Sequence, residues 1–252
     1  MSETMRLQRA IAKSGYTSRR KAEVLILEKR VKINNEVVSE LGAKVSSDDI
    51  ITIDGVELSK EAKVYYLINK PGDVLSSVSD DRGRKVVVDL INDKRRIYPV
   101  GRLDLDTTGL LMLTNDGNFT NAMIHPSYEI SKVYEVIIDI FLNDTKKRQL
   151  ETGIILDGEK TLPAKVVVNR FDRKKQISLV TITLREGKNR QVKRMFEAVG
   201  AKVLKLHRSQ VGTLTLKDLK VGEYRKMSKE EVAKLLALAE GGKRWKRKSK
   251  NF

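Results

Sequence analysis

Two carboxylates, two hydroxyls and an arginine crowd into one short stretch, Gly101-Arg102-Leu103-Asp104-Leu105-Asp106-Thr107-Thr108-Gly109. The stretch runs directly into Leu110-Leu111-Met112-Leu113 and closes at Asp116-Gly117. The apolar run is too short for a helix and is bounded by turn residues, so it reads as a buried strand. Reactive side chains on a loop gripped by such a strand keep a fixed position, as a site requires. The plainer alternative is a turn whose aspartates cap backbone N–H groups.

The available chemistry is narrow. There is no cysteine, so thiol catalysis, disulfides and cysteine-ligated metal drop out together, and His125 and His207 have no ligand-like spacing. Neither a metal site nor a cofactor-binding motif is expected. What remains is carboxylate, phenol, ammonium, guanidinium and hydroxyl chemistry. Asp104 and Asp106 could form a paired-carboxylate glycosidase-like site, and a carboxylate can also attack covalently. Asp104-Leu105-Asp106-Thr107 also superficially matches the Asp-x-Asp-x-Thr loop of haloacid-dehalogenase-like phosphatases. Those require a buried strand just before the first Asp, where this chain has Pro99, Gly101 and Arg102.

Two further segments could converge on this loop. In Lys132-Val133-Tyr134, residues at i and i+2 of a strand share a face, so the ammonium and the phenol point the same way. From Asn189 to Val199 helical periodicity puts Val192, Phe196 and Val199 on one stripe and Arg190, Lys193, Arg194 and Glu197 on another. One stripe packs; the other can face a carboxylate or RNA.

The remaining elements must hold these parts in place. Strands are expected at Tyr65–Lys70, Lys132–Ile140, Ala164–Phe171, Ile177–Leu184 and Val203–Leu206, with a helix near Phe119–Met123. Alternation within short runs makes this a mixed, mainly antiparallel sheet with packed helices, an α+β domain. Ahead of it, helices near residues 5–13 and from Ser18 precede strands at Val31–Ile33, Glu36–Val38 and Ile50–Ile53, with Asn34-Asn35 and Asp54-Gly55 as tight turns. The organisation expected is a small N-terminal domain at 1–58, a linker at 59–64, a catalytic domain at 65–240 and a disordered basic tail at 241–252.

The 252 residues carry a net charge of +17, concentrated in Met1–Arg30, Arg185–Arg208 and Gly241–Phe252. Basic patches on an otherwise balanced chain are the footprint of a polyanion, with nucleic acid the first candidate. Arg19, Arg20 and Lys21 sit in the first turn of a helix, where cations oppose the helix dipole but N–H groups attract phosphate. No apolar run approaches the roughly 20 residues that span a bilayer, and the chain opens on charge rather than a signal core, so a cytoplasmic protein without a membrane partner is expected.

The N-terminal pattern, Met5-Arg6-Leu7, Ser18-Arg19-Arg20-Lys21-Ala22 and Val31-Lys32-Ile33-Asn34, resembles the S4 RNA-binding module. The motifs Gly101-Arg102-Leu103-Asp104-x-x-Thr107-x-Gly109-Leu110, Lys132-x-Tyr134 and Glu186-Gly187-x-x-Arg190-Gln191-Val192-Lys193-Arg194-Met195, with Lys70-Pro71-x-x-x-x-Ser76 upstream, resemble the RsuA/RluB-type RNA pseudouridine synthases, nearest the large-subunit synthase B branch. Where many relatives carry Gly-Arg-x-His-Gln, this chain has Gly187-Lys188-Asn189-Arg190-Gln191.

The resemblance implies cofactor-free isomerisation of a uridine in ribosomal RNA, free or in a ribosome assembly intermediate, by an enzyme acting as a monomer. It implies Asp104 as nucleophile or glycal-forming group, Lys193 as its ionic partner and Tyr134 as the aromatic stacked on the base. Arg102 fills the space left by the extruded nucleotide, and Asp106 is structural. Arg19, Arg20, Lys21, Lys132, Arg190 and Arg194 are the expected RNA contacts. The rival of another class is a non-catalytic S4-type RNA-binding protein.

Overall fold

The computed structural model describes residues 4–59 and 61–249, with the side chains of 243–249 left aside. Lys60 of the expected linker and residues 250–252 of the expected tail lie outside the described residues. The chain divides into two compact units: Met1–Val64 with 92–97 and 115–117, and Tyr65–Ile91, Tyr98–Thr114 and Asn118–Phe252.

In the first unit, helices α1 (Leu7–Lys13) and α2 (Arg19–Leu27) precede strands β1 (Val31–Ile33), β2 (Glu36–Val38), β3 (Ile51–Ile53) and β4 (Val56–Glu57). Leu7, Ile11, Ala22, Ile26, Val31, Val45 and Ile53 form its core. Ser18 caps α2 by accepting from the Lys21 N–H at 3.2 Å. Asn34 and Asn35 take positive φ in the β1–β2 turn, as do Asp54 and Gly55 between β3 and β4, the backbone that two-residue hairpins demand. Met5–Arg6, expected as the first turn of a helix, instead pairs as a strand with Lys44–Val45, and α1 starts at Leu7.

The second unit is built on one long sheet. Its strands are β5 (Tyr65–Lys70), β6 (Thr108–Thr114), β7 (Lys132–Ile138), β8 (Lys165–Asp172), β9 (Ile177–Leu184), β10 (Val203–Val211) and β11 (Tyr224–Lys226). Their spatial order is β8-β9-β7-β10-β6-β5-β11. All neighbours run antiparallel except β10 and β6, which are parallel with His207 opposite Thr108 and Arg208 opposite Gly109. The sheet is therefore mixed and mainly antiparallel, as the sequence alternation predicts. Helices α3 (Gly117–Ile124), α4 (Asp144–Thr152), α5 (Gln191–Ala198) and α6 (Lys229–Ser249) complete it.

β6 is the apolar run that follows the polar loop, and every residue from Gly109 to Thr114 is buried. Leu110 and Met112 enter the core with Leu67, Phe119, Met123, Val211 and Leu235. The strand is thus a fixed rod whose N-terminal end carries the loop.

The expected disordered tail is corrected by α6, which continues to Ser249. Its stem packs Leu235 and Ala239 into the core with Val232 and Leu236 alongside. Gly242 lies so close to the Tyr128 carbonyl that a Cβ there would clash. Once a stem is anchored, each further turn costs little, and Lys and Arg are good helix formers. Among the described residues no helix is long and apolar enough to cross a membrane.

Gly109 is where the loop-bearing strand meets β10. Its φ is +111°, and a Cβ would fall inside contact distance of the Arg208 backbone. Gly109→Ala should therefore destabilise the protein by about 2 kcal/mol or more, read as a lowered thermal midpoint, because both strain and a backbone clash are introduced. An unchanged midpoint would show that β6 and β10 tolerate separation.

Candidate active site

The loop from Gly101 to Thr107 is held from below by the segment that follows β5. Ser76 Oγ donates to the Leu103 carbonyl at 2.9 Å and accepts from the Leu103 N–H at 3.1 Å. The Leu105 carbonyl accepts from the Asp73 N–H at 2.9 Å and from Lys70 Nζ at 3.3 Å. Both residues flanking Asp104 are therefore fixed, so the carboxylate projects from a backbone with little freedom.

Lys70 is fully buried and gives its ammonium protons to the carbonyls of Pro71 (2.8 Å), Val74 (2.7 Å) and Leu105. Burial pushes it down to about 8, against the pull of Asp106, Asp73 and Asp104. A buried ammonium satisfied by carbonyls is a structural anchor. Among the described residues no carboxylate is hydrogen-bonded to it.

Lys193 comes from α5. The turn into that helix is tied by side chains: Gln191 Oε1 accepts from the Lys188 N–H at 2.9 Å, and Gln191 Nε2 donates to Glu186 Oε1 at 2.6 Å. Glu186 Oε1 also accepts from the Leu162 N–H at 2.9 Å. Arg190 takes the left-handed N-cap position, φ 48°. Val192, Phe196 and Val199 are buried as the stripe predicts, and Met195 and Lys193 are buried with them, Lys193 at 7% exposure. Its ammonium turns toward the carboxylates of the loop, as that stripe allows.

That ammonium lies 3.8 Å from Asp104 Oδ2. It lies closer to Asp106, at 2.6 Å from Oδ1 and 2.7 Å from Oδ2. The Lys193 hydrogen bond holds the Asp106 carboxyl below its ordinary range. Asp106, expected to be only structural, is thus the nearer partner of Lys193. The Asp-x-Asp spacing carried this signal, since carboxylates two apart on a turn can converge on one cation. With both Asp106 oxygens on an ammonium, the pair is not arranged around a divalent cation as a phosphatase reading needs.

Asp104, Tyr134, Arg102, Thr107 and Arg190 line one cavity of about 70 Å³, with Leu184 and Leu206 as its apolar wall. Tyr134, on β7 opposite Arg208, is 9% exposed. The Thr107 hydroxyl is buried with no hydrogen-bond partner among the described residues, a position the motif includes but the sequence reading did not single out. His207, one of the two histidines, bonds Thr108 Oγ1 through Nδ1 at 2.8 Å, and burial lowers its pKa.

The other expected RNA contacts divide. Arg102 and Arg190 are exposed at the cavity. Arg19, Arg20 and Lys21 are exposed on the first turn of α2 in the other unit. Arg194 is engaged by both oxygens of Asp157, at 2.9 and 2.6 Å. Lys132 turns back to the Ile130 carbonyl at 3.0 Å, and burial, with Arg208 nearby, pushes it down to about 8. Lys132 shares a face with Tyr134 and is half-buried.

Residues 64–198 match the family model of RNA pseudouridylate synthases, a span that contains the loop, Tyr134 and Lys193. The chain belongs to the RNA pseudouridylate synthase family. Residues 5–51 match the S4 domain. This pseudouridylate synthase is 49% identical to the ribosomal large subunit pseudouridine synthase B of Bacillus subtilis, over 94% of its own length and 98% of the relative's. It is 38% identical to an uncharacterized RNA pseudouridine synthase of Aquifex aeolicus, over 92% and 93%. A crystal structure of a pseudouridylate synthase superposes with a TM-score of 0.66 at 32% identity, covering 92% of this chain and 99% of that one.

The Lys70 anchor has a pH consequence. Its folded value of about 8 lies below the roughly 10.4 of an unfolded chain, so the folded protein loses this proton first. The cost of burying the charge is present in full below pH ~8 and is relieved between about 8 and 10.4, so this group does not lower stability there. Its bond to the Leu105 carbonyl is what is lost. Pseudouridine formation should therefore decline above pH ~8 while the thermal midpoint does not fall with it. The decline should persist in Lys132→Arg, whose guanidinium does not titrate in this range. A rate that stays flat to pH ~9.5 would contradict the anchor.

Proposed function

We propose that this enzyme isomerises a uridine of large-subunit ribosomal RNA to pseudouridine, with Asp104 as the reacting carboxylate. The observation that carries the reading is a restrained carboxylate facing a buried ammonium beside a tyrosine, in a cavity with an apolar wall. The 49% identity to a large-subunit synthase supports the choice of RNA.

The reaction breaks N1–C1′, turns the uracil, joins C5 to C1′ and moves the C5 proton to N1. Atoms balance within the nucleotide. Asp104 acts either by attacking C1′ or by assisting removal of the 2′ proton on a glycal route. Lys193, whose ammonium lies 3.8 Å from that carboxylate, serves to orient it. Tyr134 stacks on the base and stands within reach for proton transfer. Paired RNA hides its uridines, so the target must be extruded at a cost of a few kcal/mol, and Arg102 at the cavity mouth fills the vacated space.

Grip comes from elsewhere. The exposed Arg19, Arg20 and Lys21 on the S4 unit offer charge and helix N–H groups to phosphates without reading sequence.

Asp104→Asn should abolish pseudouridine formation on an rRNA transcript while leaving RNA affinity within about three-fold, since phosphate contacts dominate affinity. Lys193→Met should lower turnover by ~100-fold or more with the fold intact by circular dichroism, as loss of a charge-stabilising partner commonly does. Normal function of Asp104→Asn would favour a pure RNA binder instead. Mapping pseudouridines in rRNA from a strain lacking the gene identifies the uridine.

A further inference from the structure

Asp106 holds Lys193 more closely than Asp104 does, and the burial of the three groups gives that preference a direction. The Lys193 side chain is 9% exposed, Asp104 32% and Asp106 69%. The ammonium is thus bonded on its outer side to a solvated carboxylate, while the inner carboxylate stands at 3.8 Å, beyond hydrogen-bond distance. Asp106 is the only acceptor bonded to Lys193 among the described residues.

An ion pair with one member in water is weak and readily exchanged. Asp106 lies on the turn between Leu105 and Thr107, next to the pinned Leu105 carbonyl, and Arg190 also attracts its carboxylate. An RNA phosphate arriving at the exposed Arg102 and Arg190 would repel Asp106 and leave Asp104 as the acceptor within reach. Filling the cavity also excludes water, which strengthens the remaining inner pair.

We propose that Asp106 is a positioning residue that holds the Lys193 ammonium off Asp104 in the RNA-free enzyme and hands it over as the target nucleotide fills the cavity. This rests on the reading of the cavity as the uridine site. Lys193 then hydrogen-bonds Asp104 only once substrate is seated, and in the free enzyme it acts on Asp104 only as a neighbouring charge at 3.8 Å.

The test has a structural arm and a kinetic arm. In crystals of the wild-type enzyme with pseudouridine-containing product RNA, Lys193 Nζ should lie within about 3.2 Å of Asp104 and should have left Asp106. The same short contact should appear without RNA in Asp106→Asn. With an unmodified large-subunit rRNA transcript, Asp106→Asn should raise kcat/KM about three-fold or more through a lower KM, because the outer pair no longer has to be broken. Asp106→Glu, which restores the carboxylate, should return KM toward the wild-type value.

Lys193 still on Asp106 with pseudouridine seated would overturn the handover while leaving the site reading intact. RNA bound with its pseudouridine outside the cavity would overturn both. A lowered kcat in Asp106→Asn would make Asp106 a permanent support for Lys193, and a gain without the short Lys193–Asp104 contact would make it merely a charge that repels RNA. Either result overturns the proposal.

Discussion

The structure depends on the restraint placed on the two residues that flank Asp104. The Leu103 N–H and carbonyl are both taken by Ser76 Oγ, and the Leu105 carbonyl is taken by Asp73 N–H and the Lys70 ammonium. A carboxylate on an unrestrained turn would sample many positions, whereas this one is held to few. The burial of Lys70 is the cost of that restraint, because an ammonium bonded to backbone carbonyls is placed in the core where its protonated form is disfavoured. The rest of the unit serves the same end. β6 fixes the loop's downstream end in the core, Gly109 lets β10 approach closely, and the Glu186–Gln191 tie sets the start of α5 so that Lys193 reaches the loop.

The electrostatics follow from that placement. One buried ammonium is shared between two carboxylates of unequal exposure, and the more exposed one holds it. Charge interactions strengthen as water leaves a site, so the balance between the partners depends on whether the cavity is filled. Tyr134 and the leucine wall supply the apolar side on which a flat base can rest.

Much of this was legible in the sequence because local rules and the tertiary structure agree there. Leu110–Leu113 reads as a buried strand and is one; the alternation at Ile177–Leu184 reads as a strand and spans those residues; Asn34-Asn35 and Asp54-Gly55 read as turns and adopt positive φ. Asp104, Tyr134 and Lys193, picked out by motif, converge on one small region. What was hidden depends on contacts between distant residues. Periodicity allowed Lys193 to face a carboxylate but could not show that Asp106, 87 residues away, would be the one bonded to it. The partners that Lys132 and Arg194 take in the folded chain, the Ile130 carbonyl and Asp157, could not be read from their charge. The helical extension past Gly241 was hidden by composition, as its anchor lies in Leu235 and Ala239 upstream.

The restraint on Asp104 is tested most directly by the turnover of Ser76→Ala on an unmodified rRNA transcript, measured beside its thermal midpoint. This change removes two hydrogen bonds to Leu103 and touches neither Asp104 nor Lys193. Turnover should fall about ten-fold or more, equivalent to roughly 1.4 kcal/mol in the barrier, with a much smaller effect on the midpoint than on the rate. Wild-type turnover would mean that Asp104 keeps its position without the clamp, contradicting the account.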